Sequence, residues 1–338
     1  MQAIDIEKIK KHIADDFSAL DQLITKTVAS SLPLVKTITQ HILASGGKRL
    51  RPLLILLLAN VFNRKNFQEC LELAAIIEFV HTATLLHDDV IDHSTLRRGQ
   101  QTANQIWGEH APILIGDFLY SKAFQLLSTR HNPTVMQALS KTTTILAEGE
   151  IMQMTNQNTL VSAQDYFDTI YRKTASLFET ATQSVSIITK QDAATTRACA
   201  ELGRHIGIAF QITDDVLDYT ASDQSLGKAL GEDIKEGKMT LPLIYTYQTA
   251  QKPVRTLIEE AIKSRKTNPD DIITAIEESG ALTQCAQRID HHIAQARSAL
   301  DTLPVSECRN RINNILKFIS SRTQKFGRST KHLADHAQ

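Results

Sequence analysis

Two Asp-Asp-x-x-Asp clusters, Asp88/Asp89/Asp92 in LLHDDVID and Asp214/Asp215/Asp218 in ITDDVLDY, sit inside otherwise apolar segments of a 338-residue chain. The stretches Leu71 to Leu86 and Ile206 to Tyr219 are apolar on most sides at helical spacing, which predicts two helices central to a bundle. A carboxylate carried into such a setting is costly unless cations or strong donors meet it. The fold therefore has to open a polar cavity where these two helices bring their aspartates.

Chance explains the pair of clusters poorly. With 21 aspartates in 338 positions, roughly 0.08 three-Asp matches are expected per chain, and two are present. The other Asp pairs, Asp15/Asp16 and Asp270/Asp271, lack the third Asp and read as solvated helix faces or caps. Positions i and i+4 share one helical face, so Asp88 projects with Asp92 and Asp214 with Asp218. Oxygen ligands without His or Cys in register favour Mg²⁺, which keeps several waters and joins carboxylates to substrate phosphate oxygens.

The rest of the chain reads as all-α. Only 13 Gly and 8 Pro punctuate it, and β-branched residues rarely alternate with polar ones over a strand-length window. Ala281 to Leu303 is an amphipathic helix with a stripe of Leu282, Ala286, Ile289, Ile293, Ala296 and Leu300. Breaks are expected at Ser45-Gly46-Gly47, His131-Asn132-Pro133, the polar loop Ser222 to Lys238, and Asn268-Pro269. With no fixed repeat and no Pro- or Ser-rich linker, residues 1–325 read as one helical domain and 326–338 as a polar tail.

The 37 Lys+Arg and 37 Asp+Glu cancel, so nothing global points to nucleic acid and any anion-binding surface must be local. The four cysteines, Cys70, Cys199, Cys285 and Cys308, show no metal or redox spacing and suit a reduced, cytoplasmic compartment. The apolar run around Leu53 to Phe62 is too short to span a bilayer, and the charged N-terminus does not read as a signal peptide.

Local anion-binding groups are indeed concentrated near the acidic clusters. Gly46-Gly47-Lys48-Arg49-Leu50-Arg51-Pro52 precedes the first cluster and Arg97-Arg98-Gly99 follows it, the donors a diphosphate would need. His81 lies two helical turns before Asp88 on the same side, suited to donate to a phosphate. Lys173-Thr174, Gln211, Lys228 and Lys238 are further candidates. The loop GKALGEDIKEGK lacks P-loop spacing and reads as a lid that carries lysines over bound phosphates. No nucleophile elbow or cysteine signature accompanies them.

Taken in order, GGKRLRP, IEFVHTATLLHDDVIDHSTLRRG, GDFLYSKAF, EGEIMQM, YRKTASLFE, FQITDDVLDY and EGKMTLPLIY resemble the trans-prenyl diphosphate synthase family, more narrowly the long-chain, octaprenyl-type bacterial synthases. The resemblance implies an all-α isoprenoid-synthase fold, a single large helical bundle around a central catalytic cavity, usually as a homodimer. It implies that Lys48, Arg51, His81 and Arg98 hold isopentenyl diphosphate. Asp88, Asp92 and Asp214 would ligate Mg²⁺, three ions with substrate bound. Arg97, Lys173, Thr174, Gln211, Lys228 and Lys238 would contact the allylic diphosphate, with Asp89, Asp215 and Asp218 completing the catalytic set. Met239 and Glu232 depart from the family pattern, Pro and Asp being usual there, and both fall in the lid.

The implied reaction is repeated condensation of isopentenyl diphosphate onto an allylic primer, farnesyl diphosphate, giving a long all-trans product of octaprenyl size for quinone side chains. Ala83 and Thr84, one turn before Asp88, are small and leave room for a long tail, with a deeper floor expected among Phe124, Leu127, Met136 and Met152. The alternatives are a shorter-chain synthase, a class I terpene cyclase, and a catalytically silent regulatory subunit. The second Asp-Asp-x-x-Asp disfavours the last two.

Overall fold

A computed structural model describes residues 5–44, 46–129, 132–220, 230–264 and 267–323. Lys228, with the rest of the first half of the expected loop (222–229), and the 326–338 tail lie outside them. The chain begins with α1 (Ile6–Lys11), α2 (Ala14–Thr27) and α3 (Pro33–Ala44), which precede α4 (Leu50–Val61) and α5 (Phe67–Ile91). Leu53 to Ala59 on α4 are all fully buried, so that helix is enclosed on every side. Each such leucine contributes roughly 1.5–3 kcal/mol of burial.

Next come two short strands, β1 (Leu96–Arg97) and β2 (Gln100–Gln101), then α6 (Ala103–Trp107), α7 (His110–Ser128) and α8 (Pro133–Asn156). The hairpin is unexpected from the sequence. Its turn residues Arg98 and Gly99 both have positive φ, 55° and 76°, the backbone that a two-residue hairpin turn demands. Asn132 caps α8 by accepting from the Val135 amide, with Pro133 in the first turn, so the expected break is there.

The second half comprises α9 (Ala163–Ile170), a π-turn (Tyr171–Ala175), α10 (Ser176–Ile188) and α11 (Ala193–Thr220). Ser162 and Asp165 form a capping box at the start of α9. After α11 follow α12 (Glu232–Lys235), α13 (Leu241–Thr249), α14 (Lys252–Ser264), α15 (Pro269–Ser279), α16 (Ala281–Asp301) and α17 (Glu307–Ser321). The described part of the expected polar loop is thus partly helical. Asp218 accepts from the amides of Glu232 (3.3 Å) and Asp233 (3.1 Å), satisfying donors that the first turn of α12 leaves open.

The bundle is all-α apart from the hairpin. The helix α5 packs against α4, α7 and α10, while α11 packs against α10 and α16, which makes both aspartate-bearing helices central. On α16 the buried stripe runs through Ala281, Cys285, Ile289, Ile293, Ala296 and Leu300. Leu282 and Ala286, expected on it, flank it instead. By length and composition α5 could cross a membrane, but 67% of its most apolar window is buried inside the protein.

Candidate active site

The two acidic clusters line one cavity of about 1480 Å³, together with Lys48, Arg51, His81, Arg97, Arg98, Lys173, Thr174, Gln211 and Lys238. Every aspartate of the clusters except Asp89 reaches it. Asp89, expected in the catalytic set, is buried under Arg97, whose Nε and Nη2 donate to Oδ1 at 2.8 and 2.7 Å. That carboxylate anchors the hairpin to α5 instead of facing the cavity.

The remaining carboxylates meet cations from distant parts of the chain. Lys173 Nζ lies 3.5 Å from Asp88 Oδ2, Lys238 Nζ 2.9 Å from Asp92 Oδ2, and Arg322 Nη1 2.9 Å from Asp214 Oδ1. Burial works against the charge on Lys238, yet Asp92 and Glu236 outweigh it and raise its pKa above the ordinary lysine value. Asp215 is held by Tyr166, whose hydroxyl donates at 2.5 Å, and by Gln211, whose amide donates at 2.8 Å. Thr174 donates in turn to Gln211 Oε1 at 2.7 Å. Burial pushes the Asp215 carboxyl up to about 7 against both bonds.

A π-turn presents Lys173 and Thr174, and two glycines let it seat. A Cβ on Gly149 of α8 would lie 2.7 Å from Arg172 Cβ, and one on Gly207 of α11 would lie 2.5 Å from Ala175 Cα. The neighbours of Gly149 complete the clamp: Glu148 pairs with Arg172, and Glu150 Oε1 accepts from Lys173 Nζ at 2.5 Å. Burial raises the Glu150 carboxyl to about 7, with Lys173 opposing that shift and Asp88 adding to it. The segment EGE, read from the sequence only as part of a resemblance, is a three-residue mould for the π-turn.

The guanidinium cluster has its own hub. Glu78, one turn before His81, is largely buried among Arg49, Arg51, Arg98 and Lys10, and burial raises its pKa although all four cations oppose the shift. Arg49 Nε lies 3.8 Å from Glu78 Oε1, while Oε2 has no hydrogen-bond partner among the described residues. Arg51 stacks at 4.2 Å over Phe178, and burial takes its pKa down to about 10. Burial, with the charges of Arg51, Arg98 and Arg97, lowers the His81 imidazole well below the ordinary histidine value. Arg98 donates to the Gly46 carbonyl, and Gly47, at φ +146°, leaves room for that guanidinium. Arg49 and Arg98 both occupy left-handed backbone, φ 45° and 55°, so local strain is concentrated at the cationic site.

Among the residues expected to limit product length, Thr84 and Phe124 line the cavity, whereas Ala83, Leu127, Met136 and Met152 do not. Ala83 and Leu127 are core residues, and Met136 packs against the core two turns before Thr143. The helix α8 offers the cavity Thr143, Leu146, Ala147 and Glu150 at three- and four-residue steps, and Met152 is out of step with them. Sequence reasoning also missed Glu78, Glu150, Tyr166, Asp233 and Arg322, all lining residues. A Glu three positions before His81 was a usable signal for one of them; nothing local marked Arg322, over a hundred residues from Asp214.

Residues 32–279 match the family model described as Polyprenyl synthetase. The chain belongs to that family. It is 39% identical to the all-trans-nonaprenyl-diphosphate synthase (geranyl-diphosphate specific) of Rhodobacter capsulatus, over 95% of this chain and 100% of that one. It is 38% identical to the octaprenyl diphosphate synthase of Haemophilus influenzae, over 90% and 93%. Among solved structures, a decaprenyl diphosphate synthase from R. capsulatus superposes with a TM-score of 0.89 at 33% identity, covering 95% of this chain and 100% of that one. A polyprenyl synthase from Caulobacter crescentus, complexed with calcium and isoprenyl diphosphate, gives 0.90 at 32%, covering 96% and 99%. Membership makes this chain a trans-polyprenyl diphosphate synthase, a prenyltransferase with the all-α isoprenoid-synthase fold expected above.

Proposed function

We propose that the chain adds isopentenyl diphosphate repeatedly to an allylic diphosphate primer, farnesyl diphosphate, to build an all-trans polyprenyl diphosphate of octaprenyl size for quinone side chains. One observation carries this reading: two groups of phosphate donors and both aspartate faces open onto a single cavity whose wall also includes the apolar side chains of Leu85, Phe124, Leu146 and Phe178. Lys48, Arg51, His81 and Arg98 hold the diphosphate of the incoming unit. Lys173, Thr174, Gln211 and Lys238 hold that of the allylic chain, beside Arg97, and Lys228 of the lid joins them.

The donor chemistry fits magnesium. Asp88, Asp92 and Asp214 offer hard oxygens and no nitrogen or sulfur competitor, and each now meets an ammonium or guanidinium, so the sites accept positive charge. No group of three carboxylate or imidazole side chains is preassembled around a cation among the described residues, which suits ions that arrive with the diphosphate. When bound, magnesium supplies Lewis acidity that offsets charge on the departing diphosphate. Lys173 and Lys238 add fixed positive charge at that group. Leu146, Phe178 and Phe210 keep water from the allylic carbon, and the tail runs past Thr84 toward Phe124.

A homodimer fits the exposed apolar side chains Ile113 and Leu114 on α7 and Met154 on α8. The four cysteines, all free, suit a reduced cytoplasmic setting. The test is incubation of the purified protein with Mg²⁺, labelled isopentenyl diphosphate, and farnesyl or geranyl diphosphate. An acyclic ladder ending near eight units supports the reading; an end at three or four units, a hydrocarbon, or no product overturns it.

A further inference from the structure

A second cavity, of about 950 Å³, lies between α8, α9, α11 and α16 and shares no lining residue with the first. The helix α9 and the π-turn are the partition. Tyr166, Thr169, Ile170 and Lys173 face the aspartate-lined cavity, while Phe167, Asp168, Tyr171 and Arg172 face the second one.

Charge distinguishes this cavity from the rest of an electrically neutral chain. Its wall carries Lys141, Arg172, Arg204 and Arg288 with the imidazoles of His291 and His292, against two carboxylates, Glu148 and Asp168. Those two are already engaged: Glu148 pairs with Arg172, and Asp168 accepts from Gln164 at 3.1 Å. Among the described residues, Lys141, Arg204 and Arg288 have no carboxylate at ion-pair distance. Arg204 lies 5.2 Å over the Tyr171 ring, and Arg288 donates to the Tyr245 hydroxyl at 3.1 Å. Behind them His205 and His292 share a ring-nitrogen contact of 2.8 Å. Burial, together with the charges of His205, His291, Arg288 and Arg204, brings His292 down to about 4.

The wall carries four basic side chains against two carboxylates, with Glu179 beside Tyr171 as a third nearby, and this local excess of cations concentrates anions from solution. Arg-rich, partly apolar walls match an oxyanion that accepts several charge-assisted hydrogen bonds. We propose that this cavity is a second oxyanion-binding site, taking a phosphate or diphosphate group. Two sources share that chemistry: the diphosphate released by each condensation, and free phosphate. The site itself rests on its own charges, independently of the product assigned above.

Isothermal titration of the full-length protein in magnesium-free buffer, with inorganic diphosphate and separately with inorganic phosphate, tests it. The wild type binds one anion in the second cavity in addition to those held in the first. The Lys141→Gln/Arg288→Gln double variant binds one fewer per chain, its affinity at the second cavity reduced at least about tenfold, with kcat and both KM values unchanged. Diphosphate bound more tightly than phosphate identifies the reaction's by-product as the occupant; equal affinity identifies any free phosphate. Identical stoichiometry in the two proteins overturns the site. Should the double variant fail to fold, Lys141→Gln alone, at an exposed position, gives the same comparison with a smaller loss.

Discussion

Lys238 closes on Asp92, Nζ to Oδ2 at 2.9 Å, and ties the segment after α12 to the C-terminal cap of α5. The contact joins the described end of the lid to the first aspartate cluster, so the lysine both shields the cavity and brings positive charge to it. Lys238→Ala is expected to lower kcat about 10²- to 10³-fold and to leave the KM for isopentenyl diphosphate unchanged. Steady-state kinetics with each substrate varied in turn checks both halves.

Glu78 gives a prediction whose sign separates positioning from bulk charge. If the carboxylate only offset the neighbouring cations, Glu78→Gln would tighten isopentenyl diphosphate binding. As the hub that spaces Arg49, Arg51 and Arg98, its loss is expected to raise that KM about ten- to a hundredfold, with the allylic KM unaffected. A lower KM would leave the hub without support.

Gly149→Ala places a methyl group against Arg172 and the Lys173 amide. Overpacking of this kind costs roughly 1–3 kcal/mol and displaces the π-turn that presents Lys173. The expected result is a lower Tm together with a reduced kcat on the allylic substrate. Thermal melts and single-turnover rates measure the two.

Thr84 and Phe124 should move product length in opposite directions. Thr84→Phe fills the cavity near the first cluster and shortens the ladder, while Phe124→Ala opens the space toward Leu127 and lengthens it. Reversed-phase separation of dephosphorylated products reads both shifts. An unchanged ladder in either variant would move the floor elsewhere.

Asp215 makes stability depend on pH in a defined direction. Its folded pKa of about 7 lies above the ordinary carboxyl value of 3.8, so the folded state holds a proton that the unfolded chain has already lost between those values. The contribution is fully present below about pH 4 and is lost as pH rises toward 7. Asp215→Asn is therefore expected to raise Tm by a few degrees over wild type at pH 8, without metal. The gain should vanish near pH 4, and activity should fall. Melts at the two pH values decide it.

The helices were legible because their signals are local. The apolar stretches around both clusters, the caps at Asn132 and Asn268, and the Asp spacing each lie within a few residues of what they determine. The hairpin at Leu96–Gln101 was not, because two-residue strands have no periodicity to detect; only Arg98-Gly99 marked its turn. Which residues line the cavity was only partly legible, for a related reason. Leu127 and Met136 have suitable chemistry, but whether a residue reaches a cavity depends on how deep its helix is packed.

By itself the sequence determined that two apolar helices carry carboxylates at i and i+4 and that basic groups accompany them, a set suited to a metal-bound diphosphate; charge and helical period suffice for those conclusions. Tertiary structure alone decided which partner each charge meets: Arg97 for Asp89, Tyr166 for Asp215, Arg322 for Asp214, and Glu78 at the centre of the guanidinium cluster. An ion pair forms between groups brought within a few ångströms, and residues 214 and 322 come together only when α11 and α17 pack. No spacing along the chain records that distance.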